Sequence, residues 1–148
     1  METILLIEDN KYILENLTEY FEMEGFKIIV ANNGSKGIEL ARAFIPDIII
    51  CYILMPEMNG YEVLNALLNI PETCELPFIF STSISRSINR EHSLKLGADD
   101  SILKPFELDS LLKMVKDLLI SGSKRNGNPK GLSSPLNNLI TSKNLIIN

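Results

Sequence analysis

Pro46-Asp47-Ile48-Ile49-Ile50-Cys51-Tyr52-Ile53-Leu54-Met55-Pro56-Glu57-Met58-Asn59-Gly60 is the stretch whose reading decides the fold. Its first half is an unbroken apolar run, rich in β-branched residues and opened by a proline. A strand covered on both faces, as in a parallel sheet, reads this way. Its second half is punctuated by Pro and Gly and leads into a helix. In open α/β sheets, chemistry collects just beyond the carboxyl ends of the strands. Here that place is held by Tyr52, a phenol.

Working outward, Thr3-Ile4-Leu5-Leu6-Ile7 is a shorter apolar run that stops at Glu8-Asp9-Asn10. It predicts a first strand delivering two adjacent acids, with Asp9 or Asn10 capping the next helix. Ile13, Leu14, Leu17 and Phe21 recur at helical spacing, and Gly25 supplies the stop. Phe26–Ala31 reads as a second strand. Ser35 is a plausible cap for a second helix whose apolar side is Ile38, Leu40, Ala41 and Phe44, and which Pro46 ends. Asn59-Gly60-Tyr61-Glu62 has the spacing of a capping box before Val63, Leu64, Leu67 and Leu68. Phe78-Ile79-Phe80 predicts a fourth strand, ending in the hydroxyls Ser81-Thr82-Ser83. A polar helix over 85–96 closes at Gly97. Ser101-Ile102-Leu103 predicts a fifth strand, ending at Lys104-Pro105-Phe106. Residues 107–120 give an amphipathic helix with Leu108, Leu111, Leu112, Val115, Leu118 and Leu119 inward. Strands alternating with helices imply a doubly wound, five-stranded parallel sheet with right-handed crossovers.

The 148 residues carry a net charge of −5 and are 45% hydrophobic, enough for one domain with an ordinary core. The charge is unevenly placed. Residues 121–148 hold Lys124, Arg125, Lys130 and Lys143 and no acid, whereas the first 120 carry ten bases against nineteen acids. The expected organisation is a domain over 1–120 and a basic, flexible tail or linker over 121–148. The acidic body gives no reason to expect direct nucleic-acid contact. Two cysteines cannot make a disulfide framework; Cys51 belongs in the core. Glu2 follows Met1 with no signal-peptide pattern, and no apolar segment reaches membrane-spanning length. A soluble, cytoplasmic protein is expected, with no membrane partner.

The strand ends bring together Glu8, Asp9, Tyr52, Thr82 and Lys104. Two adjacent acids are unfavourable without a nearby cation, which a Mg²⁺ ion or Lys104 could supply. A hydroxyl and an ammonium facing a metal also suit a phosphoryl group. The residues alone therefore define a phosphate or metal site without an evident nucleophile. Plainer roles compete: helix capping for the acids, a structural ion pair from Lys104 to Glu8 or Asp9, and a backbone contact for Thr82. His92 reads as a surface residue.

The segments Ile4–Asn10, Pro46–Pro56 with Asn59-Gly60, the Thr82-Ser83 pair, and Gly97–Phe106 occur in an order that resembles the receiver domain of bacterial two-component response regulators, chemotaxis-regulator-like, over residues 3–120. The resemblance implies a flavodoxin-like sheet of strand order 2-1-3-4-5. It implies that Glu8, Asp9 and the Leu54 carbonyl hold Mg²⁺, and that Thr82 and Lys104 contact a phosphoryl group and pass on the switch. It also implies an aspartate acceptor at the end of the third strand. The acceptor position here is Tyr52, and Ser101 stands where the family often has a switching aromatic. A carboxylate supplies a nucleophile and a metal ligand; a phenol, whose ordinary pKa is about 10, supplies neither at neutral pH. The expectation is that Tyr52 plugs the pocket, hydroxyl near Lys104, without being phosphorylated, and that Mg²⁺ binding is weak.

The leading reading is a non-enzymatic signalling receiver, phosphorylation-independent by nature or through replacement of its acceptor. Its partners would be a histidine kinase or a downstream effector, with a homodimer also available through the face of the fourth helix, fifth strand and fifth helix. A small metal-dependent phosphate-handling enzyme using Glu8 and Asp9 is the alternative. A flavodoxin-like cofactor binder would need a phosphate loop after the first strand, where the chain has Glu-Asp-Asn; no organic cofactor is expected.

Overall fold

A strand sends successive side chains to opposite faces, so a run apolar at every position needs cover on both. The computed structural model, which describes residues 1–83 and 90–123, shows that cover. In β3 (Ile48–Tyr52), Ile49 and Cys51 join one core cluster while Ile48 and Ile50 join the other. β1 (Thr3–Ile7) divides the same way, Leu5 and Ile7 from Ile4 and Leu6. With β2 (Lys27–Ala31), β4 (Phe78–Thr82) and β5 (Asp100–Leu103) these strands form one parallel sheet, ordered β2-β1-β3-β4-β5. This is the order that the resemblance implies.

One face is covered by α1 (Lys11–Met23) and α5 (Leu108–Ser121), which bury Leu14, Leu17, Phe21, Leu111, Val115 and Leu118. The other is covered by α2 (Gly34–Phe44), α3 (Gly60–Leu68) and the residues around α4 (Arg90–Lys95). The expected helix over 85–96 is described only from 90 onward; its first part lies outside the described residues.

Local chemistry sets the ends of the elements. Asn10, rather than Asp9, caps α1, its Oδ1 accepting from the amides of Tyr12 and Ile13. Gly25, at φ +96°, makes the left-handed turn after that helix. The capping box is present at α3: the Glu62 amide donates to Asn59 and the Asn59 amide to Glu62.

Two expectations about α2 need correction. Its cap is Asn33, not Ser35. Its core-facing side is Gly34, Gly37 and Ala41, with Ile38 and Leu40 only partly buried and Phe44 59% exposed. The reason is proximity: a Cβ on Gly37 would lie 2.5 Å from Ile7 Cδ1, so a large side chain there would push the helix off the sheet.

The chain leaves α5 at a fixed point. Ser123, expected in the tail, is buried and its Oγ donates to Asp99 at 2.7 Å. The remainder of the predicted tail, 124–148, lies outside the described residues.

Candidate functional site

Four chain segments meet at the carboxyl edge of the sheet because the strands are parallel and in register. The Lys104 amide donates to Thr82 O at 2.7 Å, the Ile53 amide to Ser81 O and the Glu8 amide to Ala31 O. These bonds extend the ladders just past the last strand residues and fix where Glu8, Tyr52, Ser83 and Lys104 begin. Gly60 brings α3 against the same edge. Its amide donates to Ile53 O at 2.8 Å, and a Cβ there would lie 2.7 Å from Tyr52 O and 2.9 Å from Ile53 Cα.

Lys104 is the centre of the site. Its Nζ donates to Glu8 Oε1 at 2.7 Å and stands 3.6 Å from the centroid of the Tyr52 ring. The lysine side chain is 17% exposed and that of Glu8 4%. An ammonium over an aromatic face is attracted by the ring quadrupole, the more so when partly desolvated. The Tyr52 hydroxyl bonds Ser83 Oγ. The ring faces the cation, and the hydroxyl ties β3 to the residue after β4.

The other expected residues are placed differently. Thr82 is buried and its Oγ1 donates to the Ser83 carbonyl at 3.1 Å. Asp9 is exposed at the entrance to α1. Leu54 lies beyond β3 with its side chain 51% exposed. Ser101 pairs with Phe80 inside the sheet, its amide donating to Asp100 Oδ1; it is half-buried and outside the cluster. Ser83 is the functional contact that the sequence reading passed over, although the hydroxyl run 81–83 was its signal. His92, read as plain surface, packs edge-on against Tyr61 with centroids 5.7 Å apart.

Residues 4–116 match the model of the response regulator receiver domain. The chain belongs to that family. The receiver is 32% identical over 129 residues to the response regulator SaeR of Staphylococcus aureus, a match covering 87% of this chain and 55% of the relative. It thus spans about half the length of the curated relatives it matches. Among solved structures it is similar to the signal receiver domain of a signal transduction histidine kinase from Syntrophus aciditrophicus (33% identity, TM-score 0.76, covering 84% of this chain and 94% of that one). It is also similar to the receiver domain of the Francisella response regulator 1452 (27%, TM-score 0.75, 82% and 98%). The receiver is therefore a module of two-component signalling, of a kind generally without enzymatic activity, and the phosphate-handling enzyme is not favoured.

Receiver domains typically hold Mg²⁺ at this edge, so the donor set can be tested for fit. Glu8 has both carboxylate oxygens engaged, Oε1 by Lys104 and Oε2 by the Asn10 amide at 3.1 Å. Burial pushes its carboxyl above the ordinary range; Lys104 and the Asn10 amide pull it back, and Asp9 adds to the rise. Among the described residues no three His, Cys, Asp or Glu side chains gather around one point. A hard divalent ion wants several free oxygens. The donor set as arranged does not fit a tight Mg²⁺ site.

Proposed function

We propose that this receiver signals without aspartyl phosphorylation, its phosphate pocket being filled from within. The observation that carries the reading is the position of Lys104, with Glu8 on one side and the Tyr52 ring on the other. A phosphoryl group needs that ammonium; here it is already engaged. The acceptor position offers no carboxylate, and the phenol is held by Ser83. Mg²⁺ binding is correspondingly weak, because a cation must displace Lys104 from Glu8 and finds no third anionic ligand at position 52.

The receiver acts through protein contacts, in the cytoplasm, with a histidine kinase or a downstream effector. The surface for such contacts is the face of α4, β5 and α5, where Leu103 is 50% exposed on the outermost strand. A second copy of the chain would use the same face. No helix among the described residues is long and apolar enough to cross a membrane.

The test is incubation with acetyl phosphate and Mg²⁺, read by intact mass, on the native chain and on Tyr52→Asp. The native chain stays unmodified, and the aspartate form gains the mass of one phosphoryl group. Labelling of the native chain would overturn the reading. If neither form is labelled, the loss extends beyond position 52 and constitutive binding still holds.

A further inference from the structure

Beside the Lys104 cluster, between α1 and the connection from β5 to α5, lies a cavity of about 620 Å³. Cavities that take small molecules run about 300–1,000 Å³ and are mostly apolar, with a few placed polar groups. This one has that make-up among the described residues. Ile13 and Leu17 line it from α1, and Phe106 and Leu108 from the other side. Leu17 is buried, while Ile13, Phe106 and Leu108 are only partly buried against the core. Each of those three keeps apolar surface that an occupant would remove from water. The polar lining includes Lys104 and Ser83.

An ammonium has three N–H donors. Lys104 gives one to Glu8 Oε1 and stands over the Tyr52 ring. Glu8 is the one acceptor of its Nζ among the described residues. With its side chain 17% exposed, the lysine is largely withdrawn from water and gains from a further acceptor. The charge balance selects the kind of acceptor. Glu8 already balances Lys104, so a ligand carboxylate would compete for the same ammonium. It would also bring a second negative charge beside a carboxylate that is 4% exposed. A carbonyl oxygen accepts without adding charge. The geometry points to a binding site for a small, neutral, largely apolar molecule bearing a carbonyl group. Its apolar body packs on Ile13, Leu17, Phe106 and Leu108, and its oxygen accepts from Lys104 Nζ. The site goes beyond the reading of Tyr52 and rests on it in one respect, that no phosphoryl group takes the ammonium.

The experiment titrates the full ¹⁵N-labelled chain with acetophenone, ethylbenzene and benzoate, with no phosphate donor present. The Leu17 and Phe106 amide signals are read by NMR. Acetophenone shifts both saturably and binds about tenfold tighter than ethylbenzene, the effect of one hydrogen bond to a charged group. Benzoate binds more weakly than acetophenone. In Glu8→Gln/Lys104→Met the advantage of acetophenone over ethylbenzene disappears. Ethylbenzene still shifts both signals there, which shows that the variant is folded with its apolar walls intact. Asn16→Trp, at an exposed position on α1 that lines the cavity, abolishes binding of both. The proposal is overturned if acetophenone and ethylbenzene bind the native chain alike, which would leave an apolar patch only. It is overturned if benzoate binds as tightly as acetophenone, which would make this an anion site, or if binding persists in Asn16→Trp. It is also overturned if no probe saturates, the behaviour of a groove that takes a partner's helix. Labelling of the native chain by acetyl phosphate would instead defeat the reading of Tyr52, so the two failures are distinguishable.

Discussion

Replacing Lys104 with methionine keeps an unbranched side chain beside the Tyr52 ring and removes the charge that stands over it. Glu8, 4% exposed, is then left with the Asn10 amide as its hydrogen-bond donor. Removing one partner of a buried pair costs about 3–5 kcal/mol. The lysine is 17% exposed, which places this pair at the lower end. Glu8 also has an escape, since it can take a proton. Starting from an ordinary carboxyl of 4.5, neutralisation at about 1.4 kcal/mol per pH unit costs about 3.4 kcal/mol at pH 7 and about 0.7 kcal/mol at pH 5. The expected loss is therefore about 3 kcal/mol at pH 7 and less than half of that at pH 5.

The sign follows from the direction of the shift. Burial already raises the Glu8 carboxyl, and Lys104 is the foremost influence opposing it. Without Lys104 the folded-state value rises further. A raised carboxyl contributes its stability fully below the unfolded value and loses it as pH rises through the folded one. Urea unfolding of both forms at pH 7 and pH 5, at matched slopes, measures the difference. Adding Glu8→Gln to Lys104→Met should recover most of the pH 7 loss, since no charge is then stranded. An equal loss at both pH values would refute the reasoning. So would a pH 7 loss below about 0.5 kcal/mol, the scale of an exposed pair.

Tyr52→Phe and Ser83→Ala each remove the bond from β3 to the residue after β4; each should cost about 1 kcal/mol in urea unfolding. The double variant should lose little more than either alone, and full additivity would show that the two groups act separately. Gly60→Ala places a methyl against Tyr52 O and Ile53 Cα, both backbone atoms, so a loss of about 1–3 kcal/mol is expected; unchanged unfolding would mean that α3 moves freely off the strand end.

The sheet was legible because its signals are local and redundant. A β-branched run bounded by prolines has few alternatives to a doubly covered strand, and β3 occupies 48–52 within the quoted stretch. The capping box at Asn59 and the stop at Gly25 were legible for the same reason, each being a short-range hydrogen-bond or φ requirement. α2 misled because its packing is governed by distance to the sheet. When a helix approaches as closely as Gly37 does to Ile7, the fully buried positions are small residues, Ile38 and Leu40 pack at the flank only partly buried, and Phe44 is left exposed, an order that a hydrophobic pattern alone does not report.

Only part of the cluster was legible: Glu8, Tyr52 and Lys104 do meet at the edge, while Asp9 and Ser101 lie apart from it. Strand ends told which groups share the edge, so Glu8 and Lys104 could be paired in advance as one of two choices. Which acid Lys104 takes depends on burial: Glu8 is inside the edge and Asp9 outside it, and only the inner acid needs a countercharge. The direction of Tyr52 depends on its length. A phenol is long enough for its hydroxyl to reach Ser83. What remains level with Nζ is the ring face, 3.6 Å away, and that face attracts a cation. The lysine thus has two partners, the Glu8 carboxylate and the Tyr52 ring. Two such partners hold the cation largely out of water, and this is why the perturbation that should disturb the cluster most is at Lys104 rather than at Tyr52.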